Sequence, residues 1–81
     1  GGVPRGATME NAVAHLQRAV ALEPAYVNHR LELGRTLQQL KRKAEARQEL
    51  ERAVALAPEP GPLDSRYQAE ARELLARLRK D

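Results

Sequence analysis

Histidine is the residue that most often binds a metal or transfers a proton near neutral pH, and this chain contains two, His15 and His29. A helical zinc site typically places two histidines at i and i+4 on one face, with a carboxylate nearby. His15 and His29 belong to different predicted helices, and no acidic residue joins them at such a spacing. Cysteine is absent, so the chain has no thiolate to act as a ligand or nucleophile. We therefore expect no metal and no other cofactor.

Two other segments contain residue types found in catalytic sites but lack the surrounding motif. The opening Gly1-Gly2-Val3-Pro4-Arg5-Gly6 has neither the Lys-Ser/Thr pair nor the preceding strand of a phosphate-binding loop. Ser65 is followed three residues later by Gln68, which fits the capping box at the start of a helix better than it fits a nucleophile. We expect a protein that is not an enzyme.

The basic run Lys41, Arg42 and Lys43 is the strongest electrostatic feature of the sequence. The chain has 14 basic and 11 acidic residues, a net charge of +3. We favour the interpretation of this run as a solvated turn, with a site for an anion or an acidic protein partner as the alternative. Nucleic acid is disfavoured as a partner, because base stacking needs aromatic side chains and the chain has only two, both tyrosines.

The composition predicts an all-α fold. Leu, Ala, Glu, Gln, Arg and Lys dominate the chain, and these residues have the highest helix propensities. No segment approaches the roughly 18 to 20 apolar residues that a membrane span requires. We expect no membrane association and, for want of a targeting signal, a cytoplasmic location.

A repeat 34 residues long organises the chain. Arg18-Ala19-Val20-Ala21-Leu22-Glu23-Pro24 returns as Arg52-Ala53-Val54-Ala55-Leu56-Ala57-Pro58, so that a helix and its proline stop both recur. A fixed period of this length is typical of proteins built from stacked helical repeats.

The helical segments divide the chain as follows. A flexible Gly-rich segment, residues 1–7, precedes a single helical domain at 8–81, in which Thr8 caps the first helix. The domain contains a half repeat at 8–22, a full repeat at 25–58 and a capping helix at 63–80. The three prolines between Pro58 and Pro62 predict a stiff linker before that last helix.

The full repeat resembles the tetratricopeptide repeat family, whose unit is a pair of antiparallel helices. The matching residues are Leu33, Gly34, Leu37, Ala46, Leu50, Ala53 and Pro58. Arg30 departs from the pattern where the family often has tryptophan, and Lys41 where glycine is frequent. The resemblance implies antiparallel helix-turn-helix repeats, a fragment of an α-solenoid with about four helices. Gly34 and Ala46 would then let the two helices of the repeat approach closely.

The resemblance also implies a function, because the first helix of each unit lines the concave surface that holds peptides in this family. On this chain the protein-binding residues would be Asn28, Leu31, Glu32, Arg35, Gln38 and Gln39. Arg35 would pair with a carboxylate of the ligand, and Leu31 would supply apolar contact. We therefore predict a non-catalytic protein-protein interaction module that binds a peptide or helix, and we expect an acidic partner. The lysine and asparagine clamp of chaperone-binding members is not matched, so recognition of chaperone tails is disfavoured.

Two alternatives remain at this stage. In the first, the polar face of α-helical residues 25–40 is simply solvated and the chain is a spacer repeat with no ligand, because one and a half units offer little binding surface. In the second, the chain is a structural repeat that packs on another copy or on a longer array, through an open end exposing Val13 and Val20.

Overall fold

The computed structural model describes residues 5–56 and 62–80, and these form four helices without a strand. The helices are α1 (Arg5–Leu22), α2 (Val27–Gln39), α3 (Lys43–Ala55) and α4 (Pro62–Lys80). The predicted all-α class with about four helices is confirmed. Residues 1–4 of the predicted N-terminal segment and 57–61 of the predicted linker lie outside the described residues.

Two predicted helix caps are wrong. Helix α1 begins at Arg5, so that Thr8 lies inside the helix and does not cap it, and the helix includes residues 5–7 of the segment expected to be flexible. Helix α4 begins at Pro62, and Ser65 therefore lies within the helix. Proline is favourable at the first helical position because its missing N–H would have no partner there. The Ser65–Gln68 capping box does not form, since Gln68 is buried and bonded elsewhere.

Helices α2 and α3 form an antiparallel hairpin. Arg30, near the start of α2, contacts Glu49 in the middle of α3, while Gly34 lies against Ala46 and Leu50. A Cβ atom placed on Gly34 would lie 2.7 Å from Cγ and Cδ2 of Leu50, closer than real side chains approach. The predicted close approach of the two helices at Gly34 is therefore confirmed.

The turn between α2 and α3 closes with a Schellman motif. The Arg42 amide donates to the Leu37 carbonyl at 2.9 Å, and the Lys41 amide donates to the Gln38 carbonyl at 2.9 Å. Lys41 occupies the left-handed position of this motif with a φ of 63°. Glycine is the usual residue there because it has no Cβ to clash with the backbone.

Lys41→Gly is expected to raise the free energy of unfolding by about 0.5–1 kcal/mol. A residue other than glycine in the left-handed region destabilises the folded state by ~1–2 kcal/mol. Glycine removes this strain, but it also raises the conformational entropy of the unfolded chain, which offsets part of the gain. Lys41→Ala removes the same charge but keeps the unfavourable φ, so it is expected to give no such gain. Urea unfolding of the three proteins measures the difference, and an alanine variant as stable as the glycine variant would contradict the backbone explanation.

The core is shared by all four helices. Helix α1 packs on α2, and α4 packs on both α2 and α3. The buried hydrophobic residues are Val13, Val27, Leu31, Leu33, Leu37, Ala46, Leu50, Ala53, Ala71, Leu75 and Leu78. Helix α4 contributes Ala71, Leu75 and Leu78 to this core, and it closes the hairpin on one side.

Arg30 is accommodated as a partly buried ion pair. Its side chain is 12% exposed, and Nη1 lies 3.1 Å from Oε2 of Glu49, itself 14% exposed. Its Nε donates to the Pro24 carbonyl at 3.1 Å. The arginine therefore joins the α1–α2 turn to α3, while its aliphatic stem fills space that a large apolar residue would otherwise occupy.

A candidate protein-binding cleft between the second and fourth helices

One side of α2 is left open by the packing, and it carries four of the six predicted binding residues. Asn28, Glu32, Arg35 and Gln39 follow one another at i, i+4, i+7 and i+11, so they form a single stripe. Glu32, Arg35 and Gln39 are exposed, and Asn28 is half-buried. The packing thus leaves a polar stripe of α2 available to a partner.

The prediction for Leu31 is wrong. Leu31 is 1% exposed and belongs to the hydrophobic core, so it cannot supply apolar contact to a ligand. It lies on the stripe of Val27 and Gly34, which turns inward because three other helices pack on α2. Gln38 extends this inward stripe and is half-buried, so it offers less surface than its sequence position suggested.

Arg35 is not free for a ligand carboxylate, because it already has an acidic neighbour. Its Nη1 lies 3.6 Å from Oε2 of Glu70 on α4, and the two side chains are 56% and 44% exposed. A pair this exposed is worth less than about 1 kcal/mol, so a partner could displace it. The contact shows that α4 lies beside the open stripe of α2.

A surface cleft of about 260 Å³ lies where α2 and α4 meet. Its lining residues are Arg35, Glu70, Glu73, Leu74 and Arg77. Glu73 and Arg77 are exposed and have no ion pair or side-chain hydrogen bond with any described residue. The cleft therefore presents one carboxylate and one guanidinium that are available to a ligand, beside the half-buried Leu74. We refer to these five residues as the α2–α4 cleft.

The residues that α4 adds to the cleft were not predicted as binding residues. Sequence reasoning treated α4 as a solvating cap, although Arg66, Glu70, Glu73 and Arg77 recur at i, i+4, i+7 and i+11 on one face. That spacing was a usable signal. It could not be connected to Arg35, however, because the segment that joins α3 to α4 does not reveal which face of α4 meets α2.

The predicted basic patch is reduced by the fold, because Arg42 is engaged by two carboxylates. Its Nη2 donates to Oε1 of Glu45 at 2.8 Å, and its Nη1 donates to Oε2 of Glu10 at 2.9 Å. The hydrogen bond with Glu45 raises the pKa of Arg42, and the same bond lowers the pKa of Glu45. Arg42 therefore joins α1 to α3 across the turn. Lys41 and Lys43 are exposed beside it.

The residues expected to matter for the other functional classes are also placed by the structure. His15 is exposed, and among residues 5–56 and 62–80 no cluster of three His, Asp or Glu side chains could hold a metal ion.

Val13, predicted at an open end for self-association, is 3% exposed and buried in the core, so that prediction is wrong for this residue. None of the helices in the described ranges combines the length and apolar composition needed to cross a bilayer.

Comparison with protein families places the chain. The family model for Regulator of microtubule dynamics protein 1-3 matches residues 1–79, which is nearly the whole sequence. The chain belongs to this family. The match includes all four helices, and therefore both sides of the α2–α4 cleft. No curated protein and no solved structure shows significant similarity to the chain.

Proposed function

We propose that this chain is a non-catalytic protein-interaction domain, similar in plan to a tetratricopeptide repeat, that binds an acidic segment of a partner protein along the α2–α4 cleft. The observation that carries the proposal is the pair of available charged groups on Glu73 and Arg77 beside Leu74. Hydrogen-bonding groups of Asn28 and Gln39 continue the surface along α2. An extended peptide or a helix could lie over this length.

The charge balance of α4 supports an acidic partner. The exposed arginines of α4 are Arg66, Arg72, Arg77 and Arg79, and none of them has an ion-pair partner among the described residues. Among residues 65–79, Glu70 is paired with Arg35, and Glu73 is the one carboxylate without an ion-pair partner in the described chain. The exposed surface of residues 65–79 is therefore net positive, which speeds association with an acidic segment and favours its binding.

The family indicates where such a partner is to be sought. Because the family is named for the regulation of microtubule dynamics, we infer that the partner belongs to the microtubule system. The choice of a microtubule partner depends on the family name alone, whereas the choice of the cleft as the binding site depends on the geometry. An experiment must therefore test the partner and the site separately.

Arg77→Glu is expected to weaken binding about tenfold, since it replaces an attraction to the partner carboxylate with repulsion. The matched control is Arg72→Glu, which makes the same charge change on the same helix. Five residues separate the two positions, so they lie about 140° apart around the helix axis. Arg72 is exposed and does not line the cleft, and its reversal is expected to change affinity less than about twofold.

Binding is measured by sedimentation with microtubules polymerised from purified tubulin and, separately, by anisotropy with a labelled glutamate-rich peptide. Binding to microtubules that Arg77→Glu weakens and Arg72→Glu spares supports both steps. Binding to the peptide but not to microtubules retains the cleft and rejects the microtubule partner. Equal losses in the two variants, or no binding to either probe, would overturn the cleft as the binding site.

A further inference from the structure

The turn between α1 and α2 forms a second concave surface, unrelated to the α2–α4 cleft. A cavity of about 280 Å³ is lined by Glu23, Pro24, Ala25 and Tyr26. Leu22 is 76% exposed and Tyr26 is 42% exposed, and these are the exposed large hydrophobic residues of the described chain. Scattered exposed apolar residues are ordinary, but Tyr26 lines this cavity, and Leu22 immediately precedes the lining residues in sequence. We refer to the four lining residues as the turn pocket.

The turn pocket is held in shape by the protein itself. The Tyr26 amide donates to the Glu23 carbonyl at 3.1 Å, and Arg30 Nε donates to the Pro24 carbonyl at 3.1 Å. The rings of Tyr26 and His29 meet edge to face, with centroids 4.4 Å apart and planes inclined by 64°. A ligand would therefore find the pocket preorganised and lose little free energy in ordering it.

The one charged residue that lines the turn pocket is acidic, Glu23. Nε2 of His29 lies 3.2 Å from Oε1 of Glu23 and donates to it, whereas Oε2 of Glu23 accepts no hydrogen bond from any described residue. The nearby guanidinium of Arg30 does not neutralise this carboxylate, because its Nη1 is bonded to Glu49. The Glu23 side chain is 66% exposed, so a ligand can reach the unbonded oxygen.

A carboxylate, an aromatic ring and two small apolar residues together match one kind of ligand, a cation carried on an apolar stem. The tyrosine ring attracts a cation at its face, and the guanidinium of arginine is planar, so it stacks there better than an ammonium does. The methylene stem of such a side chain would lie on Pro24 and Ala25. Glu23 would repel an anionic ligand. A purely apolar ligand would leave Oε2 of Glu23 without a partner.

We propose that the turn pocket binds an arginine side chain of a partner protein, with the guanidinium stacked on Tyr26 and paired with Oε2 of Glu23. The site is separate from the α2–α4 cleft, in which Arg77 is the arginine without an ion-pair partner among the described residues. A partner that used both would carry an acidic segment for the cleft and an arginine for the turn. The two sites can be tested independently.

The probe is Nα-acetyl-arginine amide, titrated into the full ¹⁵N-labelled chain. Acetyl-citrulline amide has nearly the same shape without the charge, and acetyl-norleucine amide supplies the stem alone. We expect saturable amide shifts at Ala25, Tyr26 and His29, with a dissociation constant on the order of millimolar. Citrulline and norleucine are each expected to bind at least about fivefold more weakly, since they lack the ion pair and the cation–π contact.

Substitutions assign these shifts to the proposed groups. Glu23→Gln and Tyr26→Leu are each expected to weaken arginine binding at least about fivefold, while Tyr26→Phe keeps the ring and retains binding. Glu51→Gln removes an exposed carboxylate of α3 that has no part in either site, so it is the matched control and should leave the shifts unchanged. Glu23 is exposed, so the Glu23→Gln variant decides the matter even where Tyr26→Leu disturbs the turn.

Three results would overturn the proposal. If the norleucine compound bound as tightly as the arginine compound, the pocket would recognise only the apolar stem. Arginine binding that Glu23→Gln leaves intact would remove the ion pair. Shifts confined to residues outside the α1–α2 turn would place arginine at another carboxylate altogether.

Discussion

Gln68→Met is expected to lower the free energy of unfolding by about 2–4 kcal/mol, although methionine has nearly the same shape. The Gln68 side chain is 5% exposed, and its Nε2 donates to the carbonyls of Ala53, Val54 and Leu56 at 3.1, 3.3 and 2.7 Å. These carbonyls belong to the end of α3, where the helix offers them no donor. A buried carbonyl left without a donor costs ~1–3 kcal/mol, and methionine would leave more than one.

Urea unfolding monitored by helical circular dichroism measures this loss, with Gln48→Met as the control. Gln48 is exposed on α3, and its replacement is expected to change stability by no more than about 0.5 kcal/mol. If both variants were equally stable, the amide of Gln68 would not be the cap of α3.

Gln68→Glu adds a pH dependence with a definite sign. A protonated carboxyl can still donate to the α3 carbonyls, but an ionised one only accepts and would face their oxygens. The pKa of the introduced group is therefore raised in the folded state. Its stabilising contribution is present below the ordinary carboxyl pKa and is lost as the pH rises through the folded-state value. Compared with Gln68→Met, the glutamate variant should be the more stable near pH 4 and the less stable near pH 7.

Gly34→Ala is expected to destabilise the protein by about 1–3 kcal/mol, even though alanine is the better helix former by roughly 0.5–1 kcal/mol. The added Cβ would lie 2.7 Å from two carbon atoms of Leu50 and 3.5 Å from the Ala46 carbonyl oxygen. Leu50 is fully buried, so its side chain has little room to move aside. The helices would have to separate or Leu50 would have to leave its favoured rotamer.

A double-mutant cycle with Leu50→Ala tests this contact directly. Leu50→Ala alone is expected to cost about 2–5 kcal/mol through lost burial and the cavity it leaves. In that background Gly34→Ala should become neutral or stabilising, because the Leu50 atoms that clash with the added Cβ are absent. The coupling energy between the two substitutions is therefore expected to be about 1–3 kcal/mol. In a Leu78→Ala background, where the deletion is on α4, Gly34→Ala should keep its full cost. Equal costs in the two backgrounds would show that Gly34 does not pack on Leu50.

The prediction of the α2–α3 hairpin succeeded because its pattern is local. Leu33 and Leu37 recur at helical spacing on α2, as Ala46 and Leu50 do on α3, and Gly34 and Ala46 are small where the two helices must approach. Each of these signals lies within one helix or across a short turn. The packing of the hairpin could therefore be predicted from the order of residues alone.

The predicted binding face is exposed only in part, because exposure depends on all the neighbours of a helix. Glu32, Arg35 and Gln39 are exposed, but Leu31 is buried and Arg35 is paired with Glu70. The burial of Leu31 depends on the three helices that pack on α2, and the pairing of Arg35 depends on where α4 lies. The residues of α2 alone indicate neither outcome.

Gln68 illustrates the same limit for a polar residue. Three residues after a serine, it matched the local pattern of a capping box, yet Pro62 begins α4 a turn earlier and frees the glutamine for a distant role. Its partners lie 12 to 15 residues away on another helix. Local spacing could suggest that Gln68 caps a helix, but it could not indicate which helix.

By itself, the sequence determined four helices, the repeat of a helix with its proline stop, and the close contact at Gly34, because helix propensity and apolar spacing act within a few residues along the chain. Only the tertiary structure decided the composition of the α2–α4 cleft, the pairing of Arg35 and Arg42, and the role of Gln68. Each of these depends on atoms from helices or turns that are distant in sequence, and the burial of one helix face against another sets which polar groups remain available for a partner.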